Sequence, residues 1–108
     1  MKLLEPIQTR HLFPDERAAL LDLLSGLTPD EWAMPTVCEG WSVKDIVGHL
    51  LGDDLGLLSG RRDGFRSPDG QGVNFDDWDQ LIAFINRQNA IWVAAVRRLS
   101  PQVLIDML

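Results

Sequence analysis

The chain has 108 residues and a net charge of −6, with one cysteine and two histidines. This length allows one small domain, and we expect residues 1–108 to form it. The acidic excess argues against nucleic-acid binding, because no stripe of basic side chains is available to neutralise phosphates. A lone cysteine excludes an internal disulfide and suits a reducing cytoplasm, and no apolar run approaches the roughly 18 residues of a membrane span. We therefore expect a cytoplasmic domain that binds neither nucleic acid nor membrane.

Every regular segment of the sequence has the period of a helix. The first predicted helix begins at Pro14-Asp15-Glu16, where proline suits the first turn and the acids complement the helix dipole. It ends near Gly26, and its apolar stripe consists of Leu20, Leu21, Leu24 and Leu27. The next four residues, Thr28-Pro29-Asp30-Glu31, then predict one short capped turn that holds Trp32.

The second predicted helix has the clearest start. Ser42 is a good N-cap, and Asp45 stands three residues later, as in a weaker relative of the capping box. Apolar residues then recur in steps of three and four. We expect this helix to end at Gly60, because the segment from there to Val73 is rich in glycine and therefore predicts a loop.

The third predicted helix is the longest, and we expect Asn74 to cap it and Arg97-Arg98 to close it. Its apolar seam consists of Phe75, Trp78, Ile82, Ile85, Asn89, Trp92, Val96 and Leu99. Such a seam is typical of antiparallel bundles. Ser100-Pro101 predicts a fourth helix, which has only begun at Leu108. The patterns together predict an all-α fold: three antiparallel helices of a four-helix bundle, with the fourth helix only begun.

The chain resembles the N-terminal, metal-binding domain of the mycothiol-dependent maleylpyruvate isomerase-like proteins, which belong to the DinB-like group of four-helix bundles. The residues that carry the resemblance are Trp32, Pro35-Thr36, Cys38, Gly40-Trp41-Ser42-Val43, Asp45, His49-Leu50, Asn86 and the stretch from Trp92 to Pro101. It implies a divalent metal, most often zinc, and a low-molecular-weight thiol as cofactors. It also implies that His49 is the first of three metal ligands. The other two, typically a glutamate and a histidine of a late helix, have no counterpart in this chain, and the resemblance covers about the first two-thirds of a family domain.

The spacing alone leaves the role of each candidate site residue open. His49 lies on the flank of its helix's apolar stripe, where a histidine is more often structural than a metal ligand. Asp53 lies one turn further along the same face, and could be a second ligand, could orient the imidazole, or could be a solvated acid, which is the commoner case. Asp54 falls within the apolar stripe and needs a partner if it is buried, for which Arg61, Arg62 or an indole N–H are candidates.

The roles of four further features are also open. His11 could join a metal site only if the irregular lead-in folded over the bundle. Cys38 has no cysteine or histidine at metal-site spacing, so we expect it to be buried under the loop. Asn89 could fix the helix register through a buried hydrogen bond or line a ligand cavity. The tryptophans are expected to serve mainly as core mass. They are Trp32, Trp41, Trp78 and Trp92.

Two functions of different classes follow. The resemblance implies a metal-binding domain like those of thiol-dependent isomerases and S-transferases that act on small electrophiles, incomplete as an enzyme on its own because two of its three ligands are absent. The alternative is a non-catalytic dimerisation or small-molecule-binding module derived from that fold. A third hypothesis is that the chain is a fragment of a longer protein. Three helices with apolar seams would leave an open groove, so we expect a second copy to fill it, as a homodimer or a helix-swapped oligomer.

Overall fold

The computed structural model describes residues 3–108, and every regular element in that range is helical. The α-helices are α1 Phe13–Ser25, α2 Pro29–Trp32, α3 Val43–Leu57, α4 Trp78–Val96 and α5 Pro101–Met107. The shorter elements are two 3-10 turns, Arg10–Leu12 and Pro68–Gly70, and a π turn, Leu58–Arg62. Within the same residues, no helix combines the length and the apolar character that crossing a bilayer requires. The predicted all-α fold class is confirmed.

Side-chain caps start α2 and α3 where the sequence predicts them. At α2, the Thr28 hydroxyl accepts a hydrogen bond from the Glu31 N–H at 3.2 Å, and the Glu31 carboxylate accepts one from the Thr28 N–H at 2.9 Å. At α3, Ser42 and Asp45 make the same reciprocal pair, at 3.2 and 3.0 Å. A serine cap of this kind typically stabilises a helix by about 1 kcal/mol. Asp45 thus completes a full capping box and is more than a weak relative of one.

The third long helix begins later than predicted. The Asp77 side chain caps α4 by accepting a hydrogen bond from the Gln80 N–H at 3.2 Å. The Asn74 side chain instead accepts from the Asp76 N–H at 3.0 Å, within a separate turn. The prediction that Asn74 is the cap is therefore wrong, because a local turn already uses its side-chain oxygen. Phe75 consequently precedes the helix.

Gly60 does not end the second long helix. The chain leaves α3 at Leu57 and continues through a π turn that includes Gly60 and closes at Arg62. Its wider hydrogen bond runs from the Asp63 N–H to the carbonyl oxygen of Leu58, at 3.1 Å. Single π turns are frequent beside functional sites, and this one adjoins the cavity described below.

The central helix, α3, runs antiparallel to both α1 and α4. At its start, the Lys44 ammonium donates to the carbonyl of Arg97, which follows α4, at 2.7 Å. Toward its end, Asp54 accepts from Arg17 in the second turn of α1, at 3.2 Å. The last helix, α5, packs against α1 and α3, and its Leu104 is fully buried. The core where these helices meet consists of Leu24, Trp32, Val47, Leu51 and Leu104.

The apolar seam of α4 is better buried in the second half of the helix than in the first. Within the seam, Val96 is 6% exposed and Trp92 is half-buried, whereas Trp78 and Ile85 are 71% and 40% exposed. The first half of this seam therefore lies on an open apolar face. The reason is that α3 ends opposite the middle of α4, so the first half of α4 faces the loop that follows α3.

The chain leaves more surface uncovered than its size predicts. It exposes 8765 Å², whereas a folded monomer of this mass exposes roughly 6000 Å². Its radius of gyration, 16.6 Å, also exceeds the roughly 13 Å expected for about 100 residues. Large apolar side chains that are more than half exposed include Leu3, Leu4, Ile7, Phe13, Leu23, Trp78 and Ile91. Packing within the chain therefore leaves an apolar surface open.

Candidate functional site

His49 is a half-buried imidazole that an aromatic ring supports. It lies in the second turn of α3, and its side chain is 25% exposed. The ring of Trp41 lies against it, with the centroids 5.4 Å apart and the planes tilted by 43°. Trp41 immediately precedes Ser42, so the cap that starts α3 also places the indole beside the histidine.

The loop before α3 is tied down at both ends. The hydroxyl of Thr36 donates to the carbonyl of Trp41 at 2.9 Å, and the Thr36 N–H donates to the same oxygen at 3.1 Å. The N–H of Val43 donates to the carbonyl of Met34 at 2.9 Å. Gly40 has a φ of 79°, in the left-handed region that favours glycine, and so allows the turn that returns the chain to α3. These contacts hold Trp41 in one place.

An ion pair joins the start of α3 to the residue that follows α4. Arg97 donates to Asp45 through Nε at 3.1 Å and through a second guanidinium nitrogen at 3.3 Å. The Asp45 carboxylate, 9% exposed, also accepts from the Ser42 N–H. Burial raises the pKa of Asp45, but the hydrogen bonds from Arg97 and Ser42 outweigh burial and hold this pKa below its ordinary value. The pair therefore stays ionised and fixes the cap, and with it the loop, against α4.

Asp53 lies one helical turn after His49 and approaches it closely. Its Oδ2 is 3.4 Å from His49 Nε2, and its side chain is 60% exposed. This separation is longer than the roughly 2.7–2.9 Å of a strong charge-assisted hydrogen bond. The structure therefore brings together the two residues that the sequence singled out, with the edge of the imidazole and the carboxylate facing each other.

Glycines on α3 let α4 approach closely next to His49 and Asp53. A Cβ atom added at Gly48 would lie 2.7 Å from Val96 Cγ2, and one at Gly52 would lie 2.4 Å from Trp92 Nε1. The indole N–H of Trp92 donates to the carbonyl of Gly48 at 2.8 Å. A Cβ at Gly56 would meet nothing within 4 Å. The helices are thus in contact at Gly48 and Gly52 and have separated by Gly56.

A cavity of about 360 Å³ opens where the two helices separate, and we call it the His49 cavity. Its lining consists of His49, Gly52, Asp53, Leu55, Gly56, Ser59, Gln88, Asn89 and Trp92. Of the two interpretations of Asn89, the structure favours the second, because this side chain lines the cavity. Imidazole, carboxylate, amide and hydroxyl groups therefore converge on one apolar-walled opening, the usual composition of a small-molecule site.

The site offers an imidazole and a carboxylate as metal ligands. In the part of the chain that the structure describes, no three His, Cys, Asp or Glu side chains are grouped closely enough to hold a metal ion. His11, the other histidine, is exposed in the 3-10 turn Arg10–Leu12 and belongs to no such group.

Two other expectations from the sequence need correction. Asp54 pairs with Arg17 of α1, with 3.2 Å between Nη2 and Oδ1, and not with Arg61, Arg62 or an indole. The sequence could not identify this partner, because the pairing depends on how α1 packs on α3. Cys38 is exposed, and the prediction that it is buried is wrong because it lies on the outer turn of the loop.

The tryptophans divide into a core residue and surface or site residues. Trp32 is buried in the core, 6% exposed. Trp41 and Trp92 are half-buried and contact the site, and Trp78 is exposed. The prediction that tryptophans serve mainly as core mass is confirmed for Trp32 and in part for Trp92, which packs against the core, and is wrong for the exposed Trp78. Trp92 lies at the last contact before α3 and α4 separate, whereas Trp41 lies beside His49 in the loop before α3.

Sequence reasoning missed the glycines at the contact between α3 and α4. Gly48, Gly52 and Gly56 recur at intervals of four, so they share one face of the helix. That spacing was a usable signal for a close helix contact, because only glycine leaves room for a neighbouring side chain at such a position. The ion pair of Arg97 with Asp45 was also not predicted, because the sequence carries no comparable signal for it.

Comparison with known proteins agrees with the resemblance noted in the sequence. Residues 13–108 match the family model described as the mycothiol maleylpyruvate isomerase N-terminal domain. No curated protein and no solved structure gives a significant match. The matched range includes α3 with His49 and α4 with the opposite wall of the cavity. The chain therefore belongs to the mycothiol maleylpyruvate isomerase N-terminal domain family.

Proposed function

We propose that this domain holds a divalent metal ion, zinc in the first instance, through His49 and Asp53, and presents a low-molecular-weight thiol to a small electrophile in the His49 cavity. The observation that carries the proposal is the separation of 3.4 Å between His49 Nε2 and Asp53 Oδ2. Two ligands at about 2.0–2.1 Å from a tetrahedral zinc lie roughly 3.3 Å from each other. The two atoms are therefore as far apart as two ligands of one zinc ion.

The donor set is only partly suited to zinc. A zinc site in an enzyme needs about three protein ligands and an open position. His49 and Asp53 are two, and residues 3–108 group no third acid, cysteine or histidine with them. We therefore assign these two residues to the metal and derive no reaction step through it. A bound divalent ion would supply the lowering of a thiol's pKa, so that the thiolate forms near neutral pH.

The remaining residues of the site have roles that do not depend on the metal. Trp41 packs against the imidazole, and this contact lowers the cost of ordering the imidazole when a ligand binds. Trp92 closes one side of the cavity with an apolar ring. Gln88 and Asn89 offer amide groups, each both donor and acceptor, to the polar parts of a thiol or a substrate. A volume of about 360 Å³ suits a small molecule.

Metal titration of matched histidine variants tests this proposal. The purified chain, freed of metal with EDTA, is titrated with Co²⁺ and Zn²⁺ and followed by absorption and calorimetry. We expect His49→Ala to abolish binding and Asp53→Asn to weaken it about tenfold or more, since loss of even a residue that only orients a ligand costs about 10–100-fold in metal affinity. His11→Ala is the matched control, because His11 is exposed and lies outside the site. Equal binding by wild type, His49→Ala and His11→Ala would end the metal proposal.

The uncovered surface favours a second candidate, a dimerisation module. The surface of one chain, 8765 Å², exceeds that of a folded monomer of this mass by roughly 2700 Å², more than the roughly 800 Å² that each partner contributes to a standard interface. We propose that a second copy of the chain covers it, with Trp78 and Ile85, which are exposed and two turns apart on one face of α4, at the contact. Sedimentation equilibrium at tens of micromolar should give twice the mass of one chain, and the double variant Trp78→Gln with Ile85→Gln should give the mass of one chain. A wild-type monomer at that concentration would remove this candidate.

A further inference from the structure

A second cavity lies one turn nearer the start of α4. It has a volume of about 640 Å³ and lies between the loop after α3 and the first half of α4. We call it the Arg66 cavity, after the one charged side chain of its lining. That lining consists of Arg66, Ser67, Pro68, Gly70, Gln71, Phe75 and Phe84. Its volume is within the roughly 300–1,000 Å³ typical of small-molecule sites.

A pair of phenylalanines forms the apolar wall of the Arg66 cavity. The rings of Phe75 and Phe84 meet edge to face, with centroids 5.4 Å apart and planes at 70°. A Cβ atom added at Gly70 would lie 3.1 Å from Phe75 Cζ, so the loop backbone approaches the ring closely at a glycine. Phe75 is 50% exposed although it is packed on two sides. The wall therefore has free aromatic surface on which a flat ring could stack.

The charge beside this wall is positive in an otherwise acidic chain. Arg66 lines the cavity, and the guanidinium of Arg87 lies 5.7 Å from the centre of the Phe84 ring. The ion pairs of the described residues involve other cations, and no carboxylate lines the cavity. Asp63, Asp69 and Asp76 are near in sequence but are exposed and outside the lining, and Asp63 pairs with Arg62. Arg66 therefore keeps its guanidinium available to an anion from solution.

We propose that the Arg66 cavity binds a small aromatic carboxylate. The ring of such a ligand would stack against Phe75 and Phe84, and its carboxylate would accept paired hydrogen bonds from Arg66, the geometry that guanidinium groups favour. Phe84 and Gln88 are one turn apart on α4, so this cavity leads toward the His49 cavity, about 6 Å along the helix axis. The inference rests on this second cavity alone and does not require a metal.

Titration with a charged and a neutral probe of the same shape tests the proposal. Benzoate and benzamide are added separately to the full chain in EDTA, and amide resonances are followed by two-dimensional NMR. We expect benzoate to shift the resonances of residues 66–75 and of Phe84, and to bind about fivefold more tightly than benzamide, the effect of one partly exposed ion pair.

The variants separate the charge from the aromatic wall. Arg66→Gln should bind benzoate and benzamide with equal affinity, whereas Arg98→Gln, a matched change of an exposed arginine outside the cavity, should keep the fivefold preference. Phe84→Leu should weaken both probes alike. Circular dichroism checks that each variant is folded. If Phe84→Leu is unfolded, Arg66→Gln alone tests the proposal. Equal affinities of the wild type for the two probes, an unchanged preference in Arg66→Gln, or shifts confined to the His49 cavity would overturn the proposal.

Discussion

The indole N–H of Trp92 donates a hydrogen bond of 2.8 Å to the carbonyl oxygen of Gly48, across the contact between α3 and α4. This bond brings a large ring over a helix backbone, and it requires that the residue one turn further, Gly52, have no side chain. The same contact forms one wall of the His49 cavity. Helix packing and site geometry therefore depend on the same few residues.

Gly52→Ala should destabilise the protein by about 1–3 kcal/mol, because the added methyl would overlap Trp92 and force the ring to move. Gly56→Ala is the matched control on the same face. Its methyl enters open space, so the gain in helix propensity should stabilise the fold by up to about 1 kcal/mol. Urea denaturation measures both changes. Equal stability of the two variants would contradict the close packing at Gly52.

Asp45→Asn should lower the free energy of unfolding by about 1–3 kcal/mol at pH 7, because it removes the charge of a nearly buried carboxylate that accepts hydrogen bonds from the half-exposed Arg97. The pKa of Asp45 in the folded protein is below its ordinary value of 3.8. Its contribution to stability is therefore present above about pH 4 and is lost as the pH falls through the folded-state pKa. Denaturation from pH 7 to pH 3 should show the wild type and the variant converging.

Asp22→Asn is the control for this pH dependence, since Asp22 is an exposed carboxylate on α1. The stability of the Asp22→Asn variant should follow that of the wild type from pH 7 to pH 3. If Asp45→Asn kept a constant deficit down to pH 3, the carboxylate charge would not be the source of the stabilisation.

Trp41→Leu should alter the environment of His49 and leave His11 unaffected. The Trp41 ring is 5.4 Å from the imidazole, so its removal takes away a ring current and one wall of the histidine's surroundings. We expect the imidazole proton resonances of His49 to shift at a fixed pH, and the stability to fall by about 1 kcal/mol as a half-buried ring is lost. Unchanged His49 resonances would show that the two rings are not in contact in solution.

The pair of Arg17 and Asp54 should contribute little to stability, and a double-mutant cycle can measure its contribution. Both side chains are more than a third exposed, so we expect a coupling of about 0.5 kcal/mol that falls in high salt. The neighbouring pair Arg62 and Asp63, exposed and adjacent in the chain, serves as the control and should show no measurable coupling. A salt-independent coupling for Arg17 and Asp54 would indicate that the pair is more buried than in this structure.

Local features of the fold were accessible from the sequence because they depend on short-range chemistry. The caps at Thr28 and Ser42 rest on side chains that bond a backbone three residues away, and the His49–Asp53 pair rests on the spacing of one helical turn. The family resemblance likewise depended on local order and spacing in the loop before α3. These predictions needed no knowledge of which helices are neighbours.

The prediction of which residue caps α4 was wrong for an equally local reason. Asn74 and Asp77 are both competent caps, and the choice depends on which one a preceding turn has already engaged. Periodicity placed Phe75 and Trp78 on a helical seam but could not indicate that the first half of α4 has no helix opposite it. Burial is decided by the partner surface, and a single sequence does not specify that surface.

The sequence by itself determined the helical class, the cap of α3, the family and the position of His49 beside Asp53, because each depends on contacts within a few residues. Only the tertiary structure decided that Arg97 reaches Asp45, that Arg17 reaches Asp54, and that Trp92 closes one side of a cavity over Gly52. The first two pairs are 52 and 37 residues apart in the chain. They meet because α1 and α4 pack antiparallel on α3, and the energy of that packing is shared among many side chains and is encoded by no single motif.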